Sequence, residues 1–245
     1  MEDQTEKRLR ELAERAWSRG IPCCTDFLDL SAQTVLRRIQ KTLAPAELRL
    51  FGGAESCERQ MAGFGLASDA GFPIVCLRIQ PTGMKFAEEL GHRDVLGALM
   101  SLGFERSLLG DIVVREKEAW VFCVARIARV IEESLLSVRR TSVRCFEVPS
   151  PPAGELFRTE RRVVQVASER MDALVAHAFR LSRGNAQSLF PAGKVFLDGA
   201  ECLSPDAVPE EGQIVSVRGL GRFRFVGAET MSKKGKLNSV IEMYV

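Results

Sequence analysis

The residues best suited to chemistry lie in the last third of the chain. Ser182-Arg183-Gly184-Asn185-Ala186-Gln187 reads as a helix start. The Ser182 hydroxyl can accept a hydrogen bond from a first-turn amide, and Arg183, Asn185 and Gln187 then sit on or beside that turn. Guanidinium and amide groups at such a place suit phosphate oxygens. Lys194 and, beyond the Gly212 turn, Arg218 and Arg222 are further cations for the same face. Lys233 and Lys234 fall in Ser232-Lys233-Lys234-Gly235-Lys236, which reads as a charged hairpin tip, either a solvated turn or a phosphate contact. Arg161 and Arg162 beside Val163-Val164 are either a solvated strand edge or secondary phosphate contacts.

One other constellation invites a catalytic reading. In Gly91-His92-Arg93-Asp94 the side chains could shuttle protons and hold phosphate. Its spacing instead opens a helix, with Gly91 in the turn and Asp94 placed to favour the dipole. A structural helix start, with Arg93 as a secondary contact, is therefore preferred to catalysis. Gly63-Phe64-Gly65 and Gly219-Leu220-Gly221 lack the helix and downstream acid of a dinucleotide fingerprint. No P-loop motif occurs, so no catalytic residue and no cofactor is expected. Seven scattered cysteines with no Cys-x-x-Cys spacing, beside two histidines, argue for reduced thiols rather than a disulfide framework or a zinc site. A formal net charge of +2 is too small for a non-specific nucleic-acid coat, so affinity for a polyanion must come from local clustering. No apolar run reaches transmembrane length and the start is acidic and polar, which points to a cytoplasmic protein.

Stepping along the chain, residues 6–19 form an amphipathic helix with Leu9, Leu12, Ala13, Ala16 and Trp17 on one side. A second helix is expected from Ser31 to Leu43. Leu48–Phe51 is a short strand candidate. The order that follows is a strand at Ile74–Ile79, a helix at His92–Leu102, strands at Ile112–Arg115 and Trp120–Val124, a helix at Ile127–Val138 and a strand at Ser142–Val148. This is the split βαββαβ arrangement of ferredoxin-like and RRM-like domains. Trp120 and Phe122 share one face of the third strand; the RNA-stacking signature there is degenerate, and packing of the rings against the helices is preferred. Pro149-Ser150-Pro151-Pro152-Ala153-Gly154 cannot continue a strand and marks a stiff linker.

The run from Met171-Asp172-Ala173-Leu174 through Ser182-Arg183, Gly193-Lys194-Val195, Asp198-Gly199 and Arg218-Gly219-Leu220-Gly221-Arg222-Phe223 resembles the S-four-type RNA-binding domain. Three positions depart from that pattern: Asp198 where Asn is commoner, Gln213 where Asp is usual, and Asn185 where a basic residue is common. The pair Asp198-Gly199 still favours a type I′ hairpin. Gly91-His92-Arg93-Asp94-Val95-Leu96-Gly97, Leu102-Gly103-Phe104-Glu105-Arg106 and Gly110-Asp111-Ile112 resemble the central domain of the bacterial YlmH-like family. Thr25-Asp26-Phe27-Leu28-Asp29 and Ser232–Lys236 fit the same family.

The expected fold class is α+β, with a helical N-terminal segment (1–46), an RRM-like central domain (47–149) and a C-terminal S-four-type domain with a terminal hairpin (155–245). The resemblance implies a non-catalytic, cofactor-free and metal-free RNA binder, with 23S rRNA and tRNA on the large ribosomal subunit as partners in ribosome quality control. A monomer is expected, with no membrane partner. The alternatives are an accessory of RNA modification or a division-linked adaptor protein. Pseudouridine synthases often carry such a domain, but their Arg-Leu-Asp setting is absent here.

Overall fold

The computed structural model describes residues 4–55, 57–152, 157–231 and 235–244. The chain divides into two compact units, 1–156 and 157–245. Helices and sheets are both well represented, in an α+β arrangement. Among the described residues, no helix is long and apolar enough to cross a membrane.

The first unit begins with helix α1 (Gln4–Arg19), which buries Leu9, Leu12, Ala13 and Ala16. These positions follow one helical face. Trp17, expected on that face, lies at the helix end and is exposed. Strand β1 (Cys23–Cys24) and helix α2 (Leu30–Ile39) follow. Asp29, not Ser31, sets the start of α2, its carboxylate accepting from the Ala32 amide at 2.9 Å. Strands β2 (Leu48–Phe51) and β3 (Met61–Phe64) complete an antiparallel sheet in the order β1-β3-β2. Leu48–Phe51 thus joins the N-terminal helices, whose core also takes in Ala62 and Phe64.

The central sheet comprises β4 (Ile74–Pro81), β5 (Leu109–Arg115), β6 (Glu118–Val124), β7 (Ser137–Val138) and β8 (Thr141–Val148). Their order is β5-β6-β4-β8-β7, all pairs antiparallel. Helices α3 (His92–Met100) and α4 (Ala125–Ser134) cover one face through Leu77, Ile79, Val121, Val95, Leu99 and Ile131. The helix expected to reach Val138 ends earlier because Ser137–Val138 turns back on Thr141–Ser142, with Arg139 at φ +54° in the turn. At the start of α3, the Asp94 carboxylate accepts from the Gly91 amide at 3.0 Å, the structural role expected of that motif.

The opposite face of the central sheet is also covered. Trp120 and Phe122 are 4% and 1% exposed, packed with Phe27, Cys57, Met61 and Phe72. They do not pack against the helices, as expected from sequence, because strand alternation turns them to the other face, where Phe27 and the stretch from Cys57 to Phe72 lie. Gly53 permits this closeness: at φ +102°, a methyl group there would lie 2.3 Å from the Phe122 ring.

The second unit is a sheet of order β11-β10-β12-β13-β14-β9. Its strands are β9 (Thr159–Val166), β10 (Val195–Leu197), β11 (Ala200–Glu201), β12 (Ile214–Val217), β13 (Gly221–Met231) and β14 (Leu237–Tyr244). Helices α5 (Met171–Ala178) and α6 (Arg183–Ser188) pack on one face, burying Leu174, Val175, Ala186 and Phe190 against Val215, Phe223 and Ile241. Asp198 and Gly199, at φ +46° and +77°, close the β10–β11 hairpin in the left-handed conformations that a type I′ turn requires.

Candidate nucleic-acid interface

The second unit is organised around a buried acid. Asp172, in the first turn of α5, has a fully buried side chain. Its Oδ1 accepts from Arg170 Nε at 3.1 Å. Its Oδ2 accepts from Arg170 Nη2 at 3.2 Å, Arg183 Nε at 3.2 Å and Gln187 Nε2 at 2.8 Å. Burial alone would raise the Asp172 pKa, but the bonds from Arg170, Gln187 and Arg183 overcome it and hold the carboxyl at about 2. Arg170 is drawn outward as well, to an ion pair with Asp206.

This arrangement sorts the helix-start residues. Ser182 caps α6, its hydroxyl accepting from the Asn185 amide at 3.2 Å. Arg183 points its Nε inward to Asp172 while its side chain remains 63% exposed. The carboxylate therefore fixes the guanidinium without burying it. Gln187 lies one turn along the same helix face; it is exposed, and its amide nitrogen donates to Asp172. Asn185 is exposed. With only six residues, α6 has a weak dipole, and side chains must supply the grip.

Beside Arg183 lies a cleft of about 290 Å³ lined by Gln165, His177, Leu181, Arg183 and Lys236 among others. Lys236 belongs to the basic loop, so the terminal hairpin brings a cation to the same cleft as α6. Lys233 and Lys234 lie outside the described residues. Sequence reasoning missed Asp172 as an organiser, while Lys236 belongs to the loop it offered as a phosphate contact. A lone acid within the apolar run Met171–Ala178 is the signal that could have revealed the first.

Arg218 and Arg222 occupy a different surface. Val217 and Phe223 face the helices, so alternation sends Arg222, paired with Ser216, to the helix-free side of the sheet. Its guanidinium lies 4.1 Å from the Tyr244 ring centre and 5.6 Å from that of Phe157. Arg218 lies 5.2 Å from the centre of the Phe196 ring. Arg224 donates to the Tyr244 hydroxyl at 3.0 Å and pairs with Glu242 at 3.5 Å. The cations expected on one surface are thus divided between a cleft beside the helices and an aromatic-backed sheet face. Lys194 is exposed, and its carbonyl accepts from the Arg218 amide at 2.8 Å, which places it near the second group.

The secondary positions also separate. Arg161 pairs with Glu229, and Arg162 pairs with Glu160 at 2.6 Å. Arg93 is exposed on the first turn of α3.

Residues 68–151 match a family model described as "Putative RNA-binding domain in YlmH". Along 226 residues the chain is 29% identical to the "Ribosome-associated protein quality control protein P2" of Bacillus subtilis (strain 168), covering 89% of this chain and 86% of that protein. The solved structure of "Cell division protein ylmH from Streptococcus pneumoniae" aligns with a TM-score of 0.49 at 22% identity, over 59% of this chain and 89% of that one. The chain is thus similar to YlmH in its central segment and to the Bacillus subtilis protein along most of its length.

Proposed function

We propose that the protein is a non-catalytic RNA-binding protein that acts on the ribosome, with its second unit as the main RNA-holding part. The observation that carries this reading is the cleft where Arg183 and Lys236 meet, one guanidinium pre-oriented by Asp172 and one ammonium from another element. Pre-orientation lowers the ordering cost of a phosphate contact, and convergence of two cations supplies the local positive field that the net charge lacks. Asn185 adds an exposed amide beside the cleft. Arg218, Arg222 and Lys194 offer a second contact surface, in which stacked guanidinium planes suit unpaired bases as well as phosphates.

The finer reading is an S-four-type module in residues 155–245 that holds 23S rRNA and tRNA on the large subunit in quality control of obstructed subunits. The relative's name, which speaks of ribosome association and quality control, supports the ribosomal part of that reading. An RRM-like reading of the central domain is supported by its interleaved antiparallel sheet order. In that domain the aromatic face is closed by Phe27 and the stretch from Cys57 to Phe72, so any RNA contact there would use outward residues such as Arg93 rather than base stacking on Trp120 and Phe122.

Co-sedimentation tests the reading. The full chain should travel with large subunits bearing peptidyl-tRNA, and crosslinking should recover 23S rRNA and tRNA at peptides containing Arg183 or Lys236. A chain that stays at the top of the gradient and crosslinks to no RNA would refute it.

A further inference from the structure

We propose that the first unit holds a separate pocket for a phosphate-bearing nucleotide, formed where three sequence segments distant from one another converge. These are Thr25–Asp29, the stretch that ends in Arg106, and the Cys57-Glu58-Arg59 loop. With α1 and α4 they enclose a cavity of about 570 Å³. That volume falls in the range of nucleotide-sized ligand sites, roughly 300–1,000 Å³.

The charge of the walls argues for an anion. Arg8, Arg59, Arg106 and Arg126 line the cavity against two carboxylates, Asp26 and Asp29. Both carboxylates are already engaged: Asp29 caps α2, and Asp26 accepts from Arg126 Nη2 at 2.9 Å. The inner arginines donate to backbone carbonyls. Arg59 Nε donates to the Leu109 carbonyl at 3.0 Å, and its Nη2 donates to the carbonyls of Phe27 and Arg106 at 3.2 and 3.3 Å. Arg106 Nη1 donates to the carbonyls of Leu109 and Gly110 at 2.5 and 3.1 Å. Carbonyls orient these guanidiniums, and the Asp29 and Asp111 carboxylates offset part of their charge.

Burial, and after it the neighbouring Arg59 charge, push Arg106 down to about 10. A bound anion would relieve the second of these. The rim is adjustable: Arg8 is 59% exposed and only 3.9 Å from Glu11, and Arg126 is 57% exposed. Arg8 can turn toward a phosphate without uncovering a carboxylate of the lining. Leu9 and Leu28 supply an apolar wall for a base or sugar, and Ser107 a hydroxyl.

The shared chemistry is a phosphate on a nucleoside, whether from a free mononucleotide or from an RNA end. Calorimetric titration of the full chain would compare adenosine 5′-monophosphate, a 5′-phosphorylated trinucleotide and unphosphorylated adenosine. The expected result is binding of the phosphorylated probes and none of adenosine. Tighter binding of the trinucleotide would identify an RNA end, and tighter binding of the monophosphate a free nucleotide. Replacing Arg8→Ala and Arg126→Ala together should weaken binding about tenfold or more at an unchanged melting temperature. If that double variant melts early, Arg126→Glu alone should show the same loss. The Arg183→Ala, Lys236→Ala variant should leave this binding unchanged, which separates the pocket from the proposed RNA cleft. Absence of binding by both phosphorylated probes, equal binding of adenosine, or full affinity in the rim variants would overturn the proposal.

Discussion

Asp172 joins stability to function through a single carboxylate. Its pKa of about 2 lies below the ordinary value of 3.8, so its contribution is fully present above pH 3.8 and is lost as pH falls through 2. A shift of that size corresponds to roughly 2 kcal/mol at neutral pH. Asp172→Asn should therefore lower the stability of the second unit by about that amount, and should flatten its acid sensitivity between pH 4 and 2, as urea melts at stepped pH would show. The same variant should weaken RNA binding, because Arg183 loses its orientation. Asp111 runs in the opposite sense. Burial raises it to about 6, even though the Arg59 and Glu58 amides donate to it. Its contribution to the first unit's stability should thus be fully present below pH 3.8 and lost as pH rises through 6, and Asp111→Asn should remove that slope from the melting curve. Neither acid's setting was legible in the sequence. A buried carboxylate is recognised by what surrounds it, and the donors to Asp111 are more than fifty residues away in the chain.

At the scale of elements, the strongest sequence signals were local ones, and they name the turns. Asp198-Gly199 and the Ser182 cap each depend on a few adjacent residues, and the structure places both as expected. The sheet β1-β3-β2 was not legible, because strands of two to four residues offer too few positions for alternation to register. The same lack of long-range information hid which surface covers Trp120 and Phe122. Alternation put the two rings on one face, but only tertiary structure shows that Phe27 and the stretch from Cys57 to Phe72 close it. Gly53→Ala tests that closure: with positive φ and a ring carbon at 2.3 Å, it should cost about 2–3 kcal/mol, read from chemical denaturation. For the cations, the sequence supplied the residues but not their sides. Arg222 faces away from Arg183 because it pairs with Ser216 beside the inward Val217 and Phe223.

For the molecule as a whole, the division at residues 156 and 157 places the nucleotide pocket and the RNA cleft in different compact units, each with its own core. Core damage should therefore stay local. Phe223→Ala, which empties a fully buried position, should cost roughly 3–5 kcal/mol and lower the unfolding transition of the second unit alone in calorimetry. The end of β8 at Val148 was readable, because the prolines that follow restrict the backbone regardless of its surroundings. The measurement that bears most directly on RNA binding is the salt dependence of affinity for a structured RNA, compared between the full chain and its Arg183→Ala, Lys236→Ala variant. The expected result is weaker binding with a log–log salt slope shallower by roughly 1 to 2, as two phosphate contacts are lost. A folded variant with the original affinity and slope would contradict the assignment of the cleft.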